Sequence, residues 1–193
     1  MKPYYKTDNT TLYQGDSLEL LKKIDDDSID LIFSDPPYFL SGDGITCQNG
    51  KMVSVNKGDW DKIDTYKEIG LFNEIWLKEC QRILKPNGTI WISGTHHNIY
   101  SVGNIMKVMG YKFLNVVTWE KPNPPPNLSC RYFTHSTEQV IWCSKNEKSK
   151  HPFNYDLMRE INGGKQMKDV WTFTSPKPNE KRYGKPTTTL QSG

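Results

Sequence analysis

A short apolar strand followed at once by two prolines is the feature that most constrains how this chain can fold. The run Leu31-Ile32-Phe33 is typical of a buried strand. Pro36 and Pro37 end it, because proline lacks a backbone N–H and fixes φ. The chain therefore leaves the strand in a rigid loop that carries the Asp35 carboxylate and the Tyr38 ring. Open α/β sheets bind ligands at the carboxyl ends of their strands, so this loop is the first candidate for a functional site.

Predicted strands and helices alternate along most of the chain. The predicted strands cover residues 11–14, 29–33, 89–94, 113–119 and 140–144, and the predicted helices cover 18–24, 72–84 and 98–109. This alternation predicts an α/β fold in which a sheet lies between layers of helices. From His151 onward the pattern ends, which predicts an irregular lobe instead of further sheet.

The first predicted strand, helix and second strand follow each other closely, like the repeat unit of a parallel sheet. Asp16 or Ser17 can cap the helix between them. In this arrangement Asp16 and Asp35 both follow strands and lie on the same edge of one sheet. Residues 41–61 hold no sustained period and predict a long surface loop.

Composition and residue spacing exclude several classes of protein. No apolar run approaches the ~18 residues of a membrane helix, and the first residues lack the apolar core of a signal peptide, so we expect a cytoplasmic protein without a membrane partner. Adjacent histidines, His96 and His97, would face opposite ways on a strand, and we predict no metal site. The cysteines are spread apart without a Cys-x-x-Cys pair, which predicts reduced thiols at Cys47, Cys80, Cys130 and Cys143.

Charge is distributed unevenly along the chain. From Lys121 onward there are 12 Lys or Arg residues against 6 Asp or Glu, whereas the preceding residues hold 13 against 16. A basic second part favours an anionic partner that is bound mainly there. Solvated lysines on an ordinary surface explain the same count equally well.

The loop of Asp35 suits chemistry on the exocyclic amine of a nucleobase. Such an amine is a poor nucleophile because its lone pair is delocalised into the ring. Asp35 and the carbonyl of Pro36 can accept hydrogen bonds from the amine hydrogens and favour a tetrahedral nitrogen with its lone pair aimed at an electrophile. Tyr38 can stack on the base, which contributes ~1–3 kcal/mol and requires that the base leave the duplex.

The sequence Asp35-Pro-Pro-Tyr38 resembles the catalytic motif of amino-group DNA methyltransferases, which use S-adenosylmethionine. In that family Asp in the first place is more typical of N6-adenine enzymes, and Ser of N4-cytosine enzymes. The early position of the motif resembles the β class. Residues 127–138 and 164–171 are similar to the Dpn/Mbo-type restriction–modification enzymes that methylate adenine in GATC. Gly15-Asp16, Leu84–Gly94 and Val117–Pro122 also agree, so that the resemblance covers roughly residues 3–185.

The resemblance implies a Rossmann-like sheet of the S-adenosylmethionine-dependent methyltransferases and assigns roles to single residues. The residues expected to hold and activate a flipped adenine are Asp35, Pro36, Pro37 and Tyr38. Those expected at the cofactor are Asp16, which would contact its adenosine end, Asp35 and Lys185.

DNA is the partner that the resemblance implies, with Arg131, Lys165 and Lys168 as candidates for phosphate or base contacts. We expect residues 1–121 to form the catalytic α/β region. Residues 122–176 form the expected target-recognition region, which includes the last sheet strand near 139–144, and residues 177–193 form a tail.

One family element has no match in this sequence. The Asp-Pro-Phe-x-Gly-Ser-Gly loop that cradles the methionine part of the cofactor is absent, and Gly42-Asp-Gly44 and Gly163-Gly164 do not follow buried strands. We therefore expect a sheet that is incomplete at the C-terminus, with an uncovered edge that pairs with a second chain or a second copy, and low activity of the chain alone. Alternatives left open are a silent DNA-binding fragment, one half of a split methyltransferase, and an enzyme that methylates RNA or a protein glutamine.

Overall fold

The computed structural model describes residues 2–39, 45–48, 51–54, 65–174, 181–182 and 185–186, with side chains in 2–39 and 65–174. Its helices are α1 (Ser17–Leu21), α2 (Tyr66–Ile83), α3 (Ile99–Val108) and α4 (Tyr155–Ile161). Its strands are β1 (Tyr5–Lys6), β2 (Thr11–Leu12), β3 (Ile29–Ser34), β4 (Ile45–Gln48), β5 (Lys51–Ser54), β6 (Leu84–Gly94), β7 (Lys112–Glu120), β8 (Thr137–Ser144), β9 (Val170–Thr172), β10 (Lys181–Arg182) and β11 (Lys185–Pro186).

Five strands form the main sheet in the order β3-β6-β8-β7-β9. β3 is parallel to β6 and β7 is parallel to β9, whereas β8 is antiparallel to both β6 and β7. β3, β6 and β7 therefore run in the same direction, and their carboxyl ends share one edge of the sheet. The remaining strands form the antiparallel pairs β1–β2, β4–β5 and β10–β11.

Helices α2 and α3 cover one face of the sheet. Ile90 and Ile92 of β6 are fully buried together with Leu77 of α2 and Val102 of α3. Each such side chain contributes about 1.5–3 kcal/mol when it is removed from water. α2 begins with a capping box between Thr65 and Glu68, which satisfies backbone N–H groups at the start of the helix. This core fixes β6 and so positions the edge where β3 and β6 end.

The opposite face of the sheet is only partly covered. Trp91 of β6 stacks on Trp142 of β8, with ring centroids 4.8 Å apart, and residues 152–171 lie over this pair and line a cavity of about 470 Å³. Leu31 and Phe33 of β3 are 56% and 67% exposed, and no β3 residue is fully buried. The prediction of a buried strand at Leu31–Phe33 was wrong, because among the described residues β3 pairs with β6 alone and so lies at the margin of the sheet.

Three predictions about the elements were wrong. In the described part of the chain β2 pairs with β1 and does not join β3 in the main sheet, because a two-residue strand offers too few hydrogen bonds and apolar side chains to compete for a sheet position. The sheet does not stop at β8, since β9 adds a parallel strand beside β7. The predicted loop at 41–61 contains the β4–β5 pair, with its other residues outside the described ranges.

In the described ranges no helix is long and apolar enough to cross a membrane. The thiols of Cys80, Cys130 and Cys143 are free, and the side chain of Cys47 lies outside the described residues. Burial raises the pKa of Cys80 and of Cys143 to about 12, so these two thiols stay protonated and act as small apolar groups in the core.

Candidate active site

The Asp35 loop lies at the carboxyl end of β3, beside the carboxyl end of β6. β3 ends at Ser34, where the two prolines prevent further pairing. Asp35 is exposed, Pro36 and Pro37 are half-buried, and Tyr38 is buried. The structure therefore places the predicted catalytic residues together at the sheet edge that the sequence predicted.

Two hydroxyl groups hold the Asp35 carboxylate. The Tyr38 phenol donates to Oδ1 of Asp35 at 2.6 Å, and Oγ of Ser93, at the end of β6, donates to the same oxygen at 2.6 Å. Oδ2 accepts no hydrogen bond from the part of the chain that the structure describes. One oxygen thus orients the group, and the other is available to a substrate amine.

Tyr38 contacts the carboxylate rather than presenting an open ring. Its side chain is 9% exposed. Burial, followed by the hydrogen bond to Asp35, raises the pKa of the Tyr38 phenol well above its ordinary range, so the phenol remains a donor at any physiological pH. Stacking of a base on this ring stays a prediction, and it requires the groups that cover the ring to move.

The carbonyl of Pro37 accepts a hydrogen bond at 2.9 Å from Nδ2 of Asn98, a buried residue just before α3. Neither Asn98 nor Ser93 was predicted as a site residue. Both lie about 60 positions from the loop, and only the pairing of β3 with β6 brings them to it. The position of Ser93 near the end of a predicted strand is a local signal that could have indicated Ser93, whereas Asn98 has none.

Asp16 caps α1 and is separate from this cluster. Its Oδ1 accepts from the backbone N–H groups of Leu18 at 2.8 Å and of Glu19 at 3.2 Å. The prediction that Asp16 and Asp35 follow neighbouring strands of one sheet was wrong, since β2 lies outside that sheet. Asp16 is exposed, and its contact with a cofactor stays a prediction. The side chain of Lys185 lies outside the described residues.

The predicted DNA contacts lie in two different segments of the chain. Arg131 is exposed in a turn held by Asn127, whose side chain donates to the carbonyl of Tyr132 at 2.6 Å. Lys165 and Lys168 are exposed in the segment between α4 and β9. The three cations do not form one cluster by direct contact with each other.

A histidine cluster includes the turn that follows β6. His96 and His97 sit in a turn, with ring centroids 3.8 Å apart, so the strand-based expectation that they face opposite ways was wrong. His135 stacks on His96 at 4.6 Å. Partial burial, and then the neighbouring imidazoles, lower the pKa of His96 and His97. No group of three potential metal ligands occurs among the described side chains.

A match to a protein-family model shows the family to which the chain belongs. The model described as DNA methylase matches residues 29–190, which include the Asp35 loop and all five strands of the main sheet. The chain belongs to the DNA methylase family. The enzyme class predicted from the sequence is thereby confirmed, because this is a DNA methyltransferase family.

Relatives of this DNA methylase are Type II methyltransferases. It is 56% identical over 185 residues to M2.LlaDCHI of Lactococcus lactis subsp. cremoris, a match that covers 95% of this chain and 69% of the relative. It is 53% identical over 187 residues to M2.MboI of Moraxella bovis, with 96% and 68% covered. It is 55% identical to M2.DpnII of Streptococcus pneumoniae over 185 residues, with 95% and 69% covered. The predicted resemblance to Dpn/Mbo-type enzymes is confirmed.

Solved structures share the fold of this DNA methylase. The PvuII DNA methyltransferase (cytosine-N4-specific) superposes with a TM-score of 0.64 at 19% identity, over 93% of this chain and 62% of that chain. A DNA modification methylase of Thermus thermophilus, complexed with S-adenosyl-L-methionine, gives 0.53 at 16% identity, over 82% and 66%. These similarities confirm the predicted α/β methyltransferase fold.

Proposed function

We propose that this DNA methylase transfers a methyl group from S-adenosylmethionine to N6 of adenine within GATC. The residue in first place of the catalytic loop, Asp35, supports adenine because the resembling family places Asp there in N6-adenine enzymes. The relatives M2.MboI and M2.DpnII, at 53% and 55% identity, support the GATC site.

The observation that carries the chemical part of the proposal is the asymmetric environment of the Asp35 carboxylate. Tyr38 and Ser93 both donate to Oδ1, which fixes the group while Oδ2 stays available. An adenine amine that donates to Oδ2 and to the Pro36 carbonyl is held with its lone pair out of the ring plane. The carboxylate would then stabilise the positive charge that develops on nitrogen as the N–C bond forms and the bond between the methyl group and the cofactor sulfur breaks. The demethylated thioether would leave, and the amine would release one proton to water.

The polar groups of the site fit the cofactor in part. S-Adenosylmethionine carries hydroxyl and ammonium groups, which require acceptors, and when bound it supplies an electrophilic methyl group. Asp16 and Asp35 are exposed carboxylates, each of which uses only Oδ1 in its hydrogen bonds to the described part of the chain. We assign these two residues to the cofactor and place Lys185 with them on the resemblance alone. No glycine loop for the methionine part is found in the sequence.

Residues 122–176 are the proposed target-recognition region. Arg131, Lys165 and Lys168 are exposed there and supply charge for phosphate contacts. Phe133, in the same turn as Arg131, is 95% exposed, which is unusual for an aromatic side chain and suits contact with a base.

Transfer of labelled methyl groups tests the proposal. Duplexes with and without GATC are incubated with labelled S-adenosylmethionine and the wild-type chain, Asp35→Ala, or the control Asp30→Ala, which removes an exposed carboxylate from the same strand. We expect transfer only to the GATC duplex, with activity retained in Asp30→Ala and reduced at least about a hundredfold in Asp35→Ala. Equal activity of the two variants, or transfer that is independent of GATC, would contradict the proposal.

A further inference from the structure

A buried chain of hydrogen bonds connects the helical core to the catalytic loop. The indole N–H of Trp76 donates to Oδ1 of Asn73 at 3.0 Å. Nδ2 of Asn73 donates to Oδ1 of Asn98 at 2.6 Å, and Nδ2 of Asn98 donates to the carbonyl of Pro37 at 2.9 Å. Asn73 is fully buried and Asn98 is 1% exposed. Buried amides are costly unless paired, so this arrangement needs all three bonds at once.

The donor-to-acceptor direction of this series of hydrogen bonds is fixed at both of its ends. An indole nitrogen can only donate, and a proline carbonyl can only accept. The oxygen of Asn73 must therefore face Trp76, which turns its nitrogen toward Asn98. The same reasoning turns the nitrogen of Asn98 toward Pro37. Oγ of Ser101 accepts a further hydrogen bond from Nδ2 of Asn73 at 3.2 Å, which gives this amide nitrogen a second partner.

The Asn98 side chain does not cap its own helix, although its position favours that role. It stands at the N-cap of α3, where an asparagine side chain usually accepts an N–H of the first helical turn. Here it makes no such bond, and its oxygen accepts from Asn73 instead. α3 starts from backbone contacts, with the N–H of Ile99 donating to the carbonyl of Thr95 at 2.9 Å. The Asn98 side chain thus bonds to Asn73 and to the catalytic loop instead of to its own helix.

We propose that Asn98 is a positioning residue for methyl transfer and that Asn73 and Trp76 set its orientation. This inference rests on the proposed function of the Asp35 loop. With the Pro37 carbonyl occupied, the carbonyl of Pro36 is the loop acceptor that no described residue fills. The Asn98 bond fixes the peptide that follows the prolines, and the Ser93 bond fixes the carboxylate that precedes them. Together they keep the carboxylate in register with the substrate amine, where a shift of about 1 Å costs about a hundredfold in rate.

The test compares Asn98→Asp with two controls on the same helix. Asn98→Asp keeps the shape and the acceptor but removes the amide donor to Pro37. Asn104→Asp makes the same change on the exposed side of α3, and Val102→Ala destabilises the core without touching the hydrogen-bond chain. For each we measure kcat and KM for methyl transfer, and hydrogen exchange by mass spectrometry over residues 30–39 and 84–94.

Asn98→Asp is expected to lower kcat about a hundredfold with the KM for S-adenosylmethionine within about threefold of wild type. Hydrogen exchange over residues 30–39 should be about tenfold faster in Asn98→Asp than in Val102→Ala, while residues 84–94 remain protected from exchange. A kcat within about threefold of wild type together with exchange equal to that of Val102→Ala would overturn the proposal.

The test also covers the cases in which Asn98→Asp does not fold or the wild-type chain is inactive. If Asn98→Asp does not fold, Trp76→Phe removes the donor that sets the direction of the chain while keeping an aromatic core side chain. Faster exchange in 30–39 then supports the proposal, and unchanged exchange overturns it. If the wild-type chain transfers no methyl group, the proposed function fails, whereas the exchange comparison still decides whether Asn98 orders the loop.

Discussion

At the scale of single residues, the site depends on which oxygen of Asp35 is occupied. Ser93 and Tyr38 both bind Oδ1, so the carboxylate is oriented by donors from its own loop and from the neighbouring strand. The sequence predicted Asp35 and its loop because strand, carboxylate and prolines are contiguous. Ser93 and Asn98 were missed because their contact with the loop depends on strand pairing across about 60 residues.

Replacing Ser93 by alanine should reduce kcat about tenfold, since a hydrogen bond to a charged group contributes about 1.5–3 kcal/mol when formed. Ser93→Thr keeps the hydroxyl and serves as the control, with kcat expected within about threefold of wild type. Single-turnover rates at saturating DNA and cofactor provide the measurement. Equal rates for the two variants would show that the Asp35–Ser93 bond does not orient the carboxylate.

The histidine cluster should make the fold sensitive to acid. The pKa of His96 and of His97 is lowered in the folded chain from the ordinary value of 6.5, so the unfolded chain binds more protons between the folded value and 6.5. Stability therefore falls as pH drops through this window. His96→Gln should lose less thermal stability than wild type between about pH 7 and about pH 5 in scanning calorimetry. Identical losses of Tm in both proteins would contradict this.

At the scale of elements, β6 carries the site. It pairs with β3 and β8, packs on α2 and α3, and supplies Ser93. The sequence predicted β6, α2 and α3 because long apolar periods specify their type. In the structure α2 begins at Tyr66 instead of 72 and β6 at Leu84 instead of 89, while α3 spans Ile99–Val108 instead of 98–109. It could not predict that β9 joins the sheet or that β2 does not, since strands of three and two residues carry almost no period.

Gly88 should be essential for the close approach of β6 to β3. A Cβ at Gly88 would lie 3.0 Å from the carbonyl oxygen of Ile29 and 3.1 Å from that of Asp30, both of them backbone atoms. We expect Gly88→Ala to destabilise the fold by about 1–3 kcal/mol, measured by urea unfolding. Gly70→Ala in α2 is the matched control, because nothing lies within 4 Å of its Cβ, and it should gain about 0.5–1 kcal/mol from helix propensity. Equal changes in the free energy of unfolding for Gly88→Ala and Gly70→Ala would contradict the claim that β6 approaches β3 too closely at Gly88 to admit a Cβ.

At the scale of the whole molecule, the excess of cations lies in the second part of the chain, whereas exposed apolar side chains lie in both parts. The basic second part supplies Arg131, Lys165 and Lys168 for an anionic partner. The edge strand β3 leaves Leu31 and Phe33 exposed on the less covered face. The charge difference was visible in the sequence, whereas the exposed face emerged only once the strand order was known.

DNA binding should weaken as salt rises, and Arg131 should contribute to that dependence. Arg131→Ala is expected to reduce the slope of log K against log[salt] by about one, as for the loss of one phosphate contact. Lys67→Ala, an exposed cation in the acidic first part, should leave the slope unchanged. Fluorescence anisotropy over a range of salt concentrations gives both slopes. Equal slopes for wild type and Arg131→Ala would place the phosphate contacts elsewhere.

The most direct test of the central claim is the chemical identity of the methylated base. A GATC duplex is incubated with the chain and S-adenosylmethionine, then digested to nucleosides that are separated and identified by mass spectrometry. We expect N6-methyladenine as the product, absent with Asp35→Ala. Formation of N4-methylcytosine, or of N6-methyladenine at an undiminished rate with Asp35→Ala, would contradict it.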